Sequence, residues 1–220
     1  MILRTKCFLF LIIFFLCSNL RAQQNIIFKD NFENYENDWK LIKTNEFIVR
    51  QEEGKLFISK ANENKINNGC LWYKKTINGF NTEKSFTIEF DAKSINSEFA
   101  KVLFDFTWGR MQEFDGVTKT LIYQLDFGIN RVRLGKFQLG KGWKYYSWSD
   151  EIPNVSISEF NIERGVFNSF AIIQNENLLT VKINNAVVYQ MTIEPQVGSE
   201  IGFQQCLKSE WELDNVVIKQ

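Results

Sequence analysis

The sequence predicts an all-β chain, a sandwich or a barrel, on three observations. Apolar and polar residues alternate with period two in one segment after another, the mark of half-buried strands. More than ten such segments recur at roughly 8–15-residue spacing, as sandwiches and barrels require. No amphipathic helical stretch longer than two turns interrupts them.

Taken in order, the chain opens with Arg4 and Lys6, an unbroken apolar run over 7–17, and Ser18-Asn19-Leu20-Arg21-Ala22 before Gln23. A charged start, an apolar stretch and a small residue at the cut form a secretory signal, with cleavage expected after Ala22. The run falls short of the roughly 20 apolar residues that span a bilayer. A lipoprotein cut before Cys17 is the alternative, although Leu16 is large for the position preceding such a cut. The expected organisation is a signal peptide, 1–22, and one domain, 23–220, secreted or periplasmic, with no transmembrane segment in the mature chain.

Within that domain, Ser85 to Lys93 alternates strictly, with Phe86, Ile88, Phe90 and Ala92 on one face and Thr87, Glu89, Asp91 and Lys93 on the other. Val102, Phe104, Phe106 and Trp108 repeat the pattern, as do Leu121, Tyr123, Leu125 and Phe127. Trp72 and Tyr73, being adjacent, take opposite faces. Leu179 to Ile183, Asn184-Asn185 and Ala186 to Tyr189 read as a hairpin, because Asn tolerates the positive φ of a two-residue turn. The last strand covers Trp211 to Ile218.

Composition excludes several classes of function. The chain has no His, which removes Ser-His-Asp and Cys-His catalysis, His-ligated zinc and an imidazole base. Without residues 1–22 it holds 23 cations and 26 anions, and no basic stripe attracts phosphate, so no nucleic-acid partner is expected. Cys7 and Cys17 leave with the signal. Cys70 and Cys206 then form a long-range disulfide or remain two buried thiols.

Several landmarks follow one another in the order of a known superfamily. They are Asp30-Asn31-Phe32 with Asp38-Trp39, "FTIEFDAK" (86–93), "WG" (108–109), "INRVRLGKF" (129–137), "FAIIQNENLLTVKINNAVVY" (170–189), "IGFQ" (201–204) and "LDNVVIK" (213–219). Together they resemble the concanavalin A-like (laminin-G-like) jelly-roll superfamily, in its exported Bacteroidetes-type form, over nearly the whole mature chain. The close of the chain also resembles 3-keto-disaccharide hydrolase-like domains. The resemblance implies a two-sheet antiparallel jelly-roll sandwich with one sheet face that often binds sugars. Fold analogy by itself assigns no activity.

Three groups of residues carry candidate chemistry. Glu89 and Asp91, two apart on one strand, project from one face with Cα atoms about 6.5–7 Å apart, within the range of a glycosidase carboxyl pair. Their "E-F-D" resembles the E-x-D-x-E strand of laminarinase-like enzymes, but Lys93 stands where the third acid belongs. It would hold the two acids ionised rather than raise a pKa. Asp105, Asp126 and Glu113 are supplementary acids. The "N-S-G-x-x-x-R"-like stretch of the 3-keto-disaccharide hydrolases is absent, Phe99 to Phe104 standing there instead.

The second group is Trp143, Tyr145, Tyr146 and Trp148, following Arg131, Arg133 and Lys136. Aromatic faces stack on pyranose rings while arginines bond hydroxyls, so the mixture suits a sugar platform. Strand parity sends Trp143 and Tyr145 one way and Tyr146 and Trp148 the other, so at least half belong to packing. The third group, Asp30 and Asp214, matches positions that hold a structural calcium in laminarinase-like relatives, and hard oxygens are what that ion takes. No other cofactor is implied. The Asn154-Val155-Ser156 sequon is not expected to be used behind a bacterial-type signal.

The leading expectation is an exported, non-catalytic sandwich that binds a carbohydrate or a glycan-bearing envelope partner. The alternatives are a glycoside hydrolase-like enzyme using Glu89 and Asp91, and a protein-interaction domain with no small ligand.

Overall fold

The computed structural model describes residues 24–60, 70–97, 104–114, 117–129, 131–140, 143–148, 160, 162–205 and 208–220. Among them are fifteen strands and no helix. One sheet has nine strands. Its spatial order is β13 (Ala186–Thr192), β12 (Leu178–Ile183), β11 (Asn168–Asn175), β6 (Phe86–Ser97), β15 (Ser209–Lys219), β4 (Lys55–Lys60), β3 (Phe47–Glu52) and β2 (Ile42–Lys43). The remaining strand, β1 (Ile26–Asp30), pairs with the second half of β15.

The second sheet runs β10 (Trp143–Trp148), β9 (Arg131–Gly140), β8 (Val117–Gly128), β7 (Phe104–Phe114), β14 (Glu200–Gln205) and β5 (Leu71–Thr76). The strand pairings in both sheets are antiparallel. The expected jelly-roll sandwich is the fold.

The alternation read from the sequence sets the two inner faces. Phe86, Ile88, Phe90 and Ala92 of β6 and Phe104, Phe106 and Trp108 of β7 are all buried, with Tyr123, Leu125 and Phe127 of β8 beside them. Phenylalanine dominates the seam between the sheets. Phe90 of the nine-stranded sheet stacks on Phe106 of the other, ring centres 5.0 Å apart, and Phe170 meets Phe127 edge to face at 4.9 Å. Trp211 lies between Phe104 and Phe203 at 5.1 and 4.8 Å. Such pairs add about 0.5–1.5 kcal/mol each beyond the area they bury.

The Asn184-Asn185 turn takes φ of 49° and 68°, the left-handed pair that a two-residue hairpin demands. On β15 the alternation changes phase. Trp211 and Leu213 face inward, and so do Val216 and Ile218. A bulge between Asp214 and Val217, with Asn215 at φ 51°, supplies the extra residue.

The motif at residues 30–39 is structural. Asp30 is buried, accepting the Phe32 backbone N–H at 2.7 Å through Oδ1 and the Trp39 indole N–H through Oδ2. Trp39 then stacks on Tyr73 at 6.0 Å, which fastens the entering chain to β5. No helix among the described residues is long and apolar enough to cross a membrane.

Candidate functional site

The outer face of the six-stranded sheet is polar and yet buried. Residues between the inward aromatics of β7 and β8 form it: Asp105 and Thr107 on β7, Gln124 and Asp126 on β8. Strand pairing sets Asp105 directly opposite Asp126 and Thr107 opposite Gln124. The row continues outward, Asp126 facing Arg133 on β9 and Asp105 facing Gln204 on β14. Asp105 is only 9% exposed, and Gln124 and Asp126 only 2%.

Among the described residues, two rings flank that row. Trp72 of β5 pairs with Gln204, on this same outer face. Phe137 of β9 pairs with Ile122, and both are buried although neither joins the core cluster. Trp72 and Phe137 meet edge to face, ring centres 5.5 Å apart, with β14, β7 and β8 lying between their strands. The sheet therefore curls toward this side, and the two rings close over its middle.

Two arginines meet one acid of this row. Asp126 Oδ2 accepts from Arg131 Nη2 at 3.3 Å and from Arg133 through Nη2 and Nε, the latter at 3.2 Å. Asp105 makes no such ion pair with a described residue. Burial first, and the neighbouring charge of Asp126 second, push its carboxyl well above the ordinary carboxylate range, with Arg133 and Arg131 pulling the other way.

The raised native pKa fixes the sign of a pH effect. An acid whose pKa is higher folded than unfolded subtracts stability as pH rises from the unfolded value, about 3.9, through the native one. Asp105→Asn is expected to stabilise the fold at neutral pH and so raise its melting midpoint. The gain is about 1.4 kcal/mol for every factor of ten by which the folded protein holds that proton more tightly than the unfolded chain. It disappears below about pH 4. Melting curves of both proteins between pH 3.5 and 8 test this, and a variant less stable throughout would refute it.

The other sequence-derived candidates are placed as follows. Arg131 and Arg133 come together on Asp126, but Lys136 has the opposite parity and pairs with Glu194 at 2.8 Å. Register sets Trp143, Tyr145, Tyr146 and Trp148 opposite Gly140, Gln138, Phe137 and Gly135; their side chains lie outside the described residues, as does that of Glu113. Glu89 and Asp91 line an open depression of about 310 Å³ on the outer face of the nine-stranded sheet, the opposite side of the molecule. Lys219 bonds Glu89 at 2.7 Å, while Ser169 and Asn215 bond Asp91 at 2.7 and 3.0 Å. Lys93 does not pin this pair. It reaches Glu212 on β15 instead, at 2.6 Å, because the cross-strand partner of Lys93 is Glu212 itself.

Asp214 belongs to that second face too. Burial raises its pKa, the Asn215 N–H opposes this, and the charge of Asp91 adds to it. Asp30, the other expected calcium ligand, has both oxygens engaged by protein donors. Among the described residues no group of three acids converges on one point. Cys70, beside β5, is disulfide-bonded, and Cys206 lies outside the described residues.

Sequence reasoning named Asp105 and Asp126 only as supplementary acids and passed over Gln124, Thr107 and Gln204. The signal was available. These are the polar positions in phase between the alternating aromatics of two neighbouring strands, and only the pairing register was missing.

Curled in this way, the chain has the concanavalin A-like jelly-roll fold, and solved structures of that class superpose on it. A Bacillus subtilis protein of unknown function with a galectin-like fold matches with a TM-score of 0.56 at 10% identity, covering 90% of this chain and 97% of that one. The GlcNAcα1-4Gal-releasing endo-β-galactosidase of Clostridium perfringens gives 0.54 at 14% identity, over 91% and 63%. The β-glucanase of Bacillus licheniformis gives 0.53 at 11%, over 91% and 99%. These likenesses establish the fold. No protein-family model and no curated protein matches the sequence.

Proposed function

We propose that this chain is an exported, non-catalytic glycan-binding sandwich that receives its ligand on the outer face of the six-stranded sheet. The observation that carries this is the row of buried polar side chains there, with Arg131 and Arg133 on Asp126 and flanked by Trp72 and Phe137. Sugars need that combination, aromatic faces for C–H surfaces and fixed polar groups for hydroxyls. The names of the superposed β-glucanase and endo-β-galactosidase agree with a glycan ligand. Glu89 and Asp91 favour no chemistry, since each is engaged by neighbours on an open surface.

One observation favours a hydrolase as second reading. Asp105, disfavoured as a carboxylate, stands directly across from Asp126, and an acid beside a carboxylate is the glycosidase arrangement. It would replace the Glu89 and Asp91 assignment.

A thermal-shift screen of the protein against oligosaccharides and polysaccharides separates the readings. A rise in midpoint with one glycan class, of the size mass action gives, and no release of reducing ends supports the binding module. Reducing ends lost in Asp105→Asn and Asp126→Asn would establish the hydrolase. A flat panel would sink both, leaving an interaction domain with an envelope partner.

We also propose that Cys70 bonds to Cys206. Antiparallel pairing sets Leu71 opposite Gln205, and the next position along each strand is a cysteine. Such a closure would brace the β5 edge by about 2–4 kcal/mol. Peptide mapping without reductant that found Cys206 free would refute the pairing.

A further inference from the structure

Three oxygens on the outer face of the six-stranded sheet stand out among the buried polar atoms: Asp105 Oδ1, Asp126 Oδ1 and Gln124 Oε1. None has a hydrogen-bond partner among the described residues, and each belongs to a side chain at least nine-tenths buried. An unpaired buried acceptor costs about 1–3 kcal/mol, so three on one patch are a standing demand for donors. They are neighbours. Asp105 and Asp126 pair across β7 and β8, and Gln124 precedes Asp126 by two positions on the same strand, about 6.5–7 Å away. On the flanking strands Gln124 faces Gly135 and Thr107 faces Gly202, so no side chain stands across from either of these two.

The chemistry of the missing donor follows from charge. Two guanidinium groups already lie on Asp126 Oδ2, and burial disfavours the charged form of Asp105, so positive charge already exceeds negative here. A metal ion or an ammonium added here would be an uncompensated buried charge. Neutral donors do not meet that obstacle, and the adjacent hydroxyls of one sugar ring supply several of them side by side.

Among the described residues, the two rings stand over the row. Phe137 is buried on an interior strand, whereas Trp72 sits on the edge strand β5 and is partly exposed. An edge-to-face contact such as theirs is worth about 0.5–1.5 kcal/mol, which makes Trp72 the movable member. A sugar inside a long chain would have to leave the row on two sides, past both rings. A terminal unit enters end-on.

We propose that Asp105, Asp126 and Gln124 form a gated subsite for the vicinal hydroxyls of a terminal sugar, with Trp72 as the gate. This rests on the glycan-binding reading of the same face. A closed gate taxes affinity by the fraction of open molecules, so removing it strengthens binding. A tryptophan that serves as a stacking platform does the opposite.

The test uses free monosaccharides (D-glucose, D-galactose, D-mannose and N-acetyl-D-glucosamine) in calorimetric titrations of the wild-type protein, Trp72→Ala, and Trp72→Ala with Gln124→Leu. The expected result is about tenfold tighter binding of at least one sugar by Trp72→Ala, lost again in the double variant while its melting transition stays cooperative. Equal or weaker binding by Trp72→Ala overturns the gate, and glycan recognition elsewhere on the face can still stand. No monosaccharide bound by any of the three proteins overturns the subsite, leaving water as the donor, and the oligosaccharide screen judges the wider reading separately. Stabilisation of Trp72→Ala by calcium or potassium chloride but by no sugar also overturns it. Should the double variant melt without cooperativity, Gln124→Met keeps the shape without the oxygen and decides: unchanged sugar affinity there overturns the role of that oxygen.

Discussion

Phe90→Ala is expected to cost the fold about 3–5 kcal/mol, the range for truncating a buried phenylalanine. Phe90 lies on β6 at the middle of the nine-stranded sheet, and its ring touches Phe104, Phe106 and Phe203 of the opposite sheet. It also stacks on Phe170 of its own sheet at 5.2 Å. The space it would leave closes only if β6 and β7 draw together, and both are pinned by neighbours on either side. For a chain of this size 1 kcal/mol moves the melting midpoint by about 2–4 °C, so a fall of roughly 6–20 °C is expected. Phe90→Leu keeps most of the volume and should lose much less. Thermal melts of the two variants check this, and a fall of only a degree or two for Phe90→Ala would show that the sheets are not clamped there.

Asp126→Asn is the second large effect, with a compensation built in. Removing one side of a buried ion pair costs about 3–5 kcal/mol when the partners are left fully desolvated. Arg131 and Arg133 retain 29% and 28% of their side-chain exposure, so solvent screens part of that and about 2–3 kcal/mol is expected. Asp105 takes over some of the lost charge. Its pKa is raised in part by Asp126 and lowered by both arginines, so neutralising Asp126 lets Asp105 ionise as the replacement counter-ion. The double variant Asp105→Asn, Asp126→Asn should therefore lose more than the two single changes added together, a coupling that a double-mutant cycle measures. Simple additivity would mean that the two acids do not sense one another.

The fold was legible because its signals are local. Alternation over 86–92, 104–108 and 121–127 names the inward residues, and the Asn184-Asn185 pair names its turn. The site was less legible because its residues meet through register. Glu89 and Asp91 drew notice as a pair along one strand, where spacing can be counted. Asp105 and Asp126 are 21 positions apart and become neighbours only when β7 and β8 align residue against residue. Trp72 and Phe137 are more distant still, joined by the curl of a whole sheet. The bulge in β15 was hidden for a different reason: Asp214-Asn215 reads as an ordinary polar stretch unless the phase of Val216 and Ile218 is followed against Trp211 and Leu213.

That bulge makes the end of the chain sensitive to length as well as to chemistry. On the side away from β6 the strand serves two neighbours, β4 before Asn215 and β1 after it, and a single surplus residue keeps both halves turned toward the core. Exchanging Asn215 for Gly alters a turn. Removing it would rotate Val216 and Ile218 into water at once and unseat β1 with them, so here a missing residue does more harm than a wrong one.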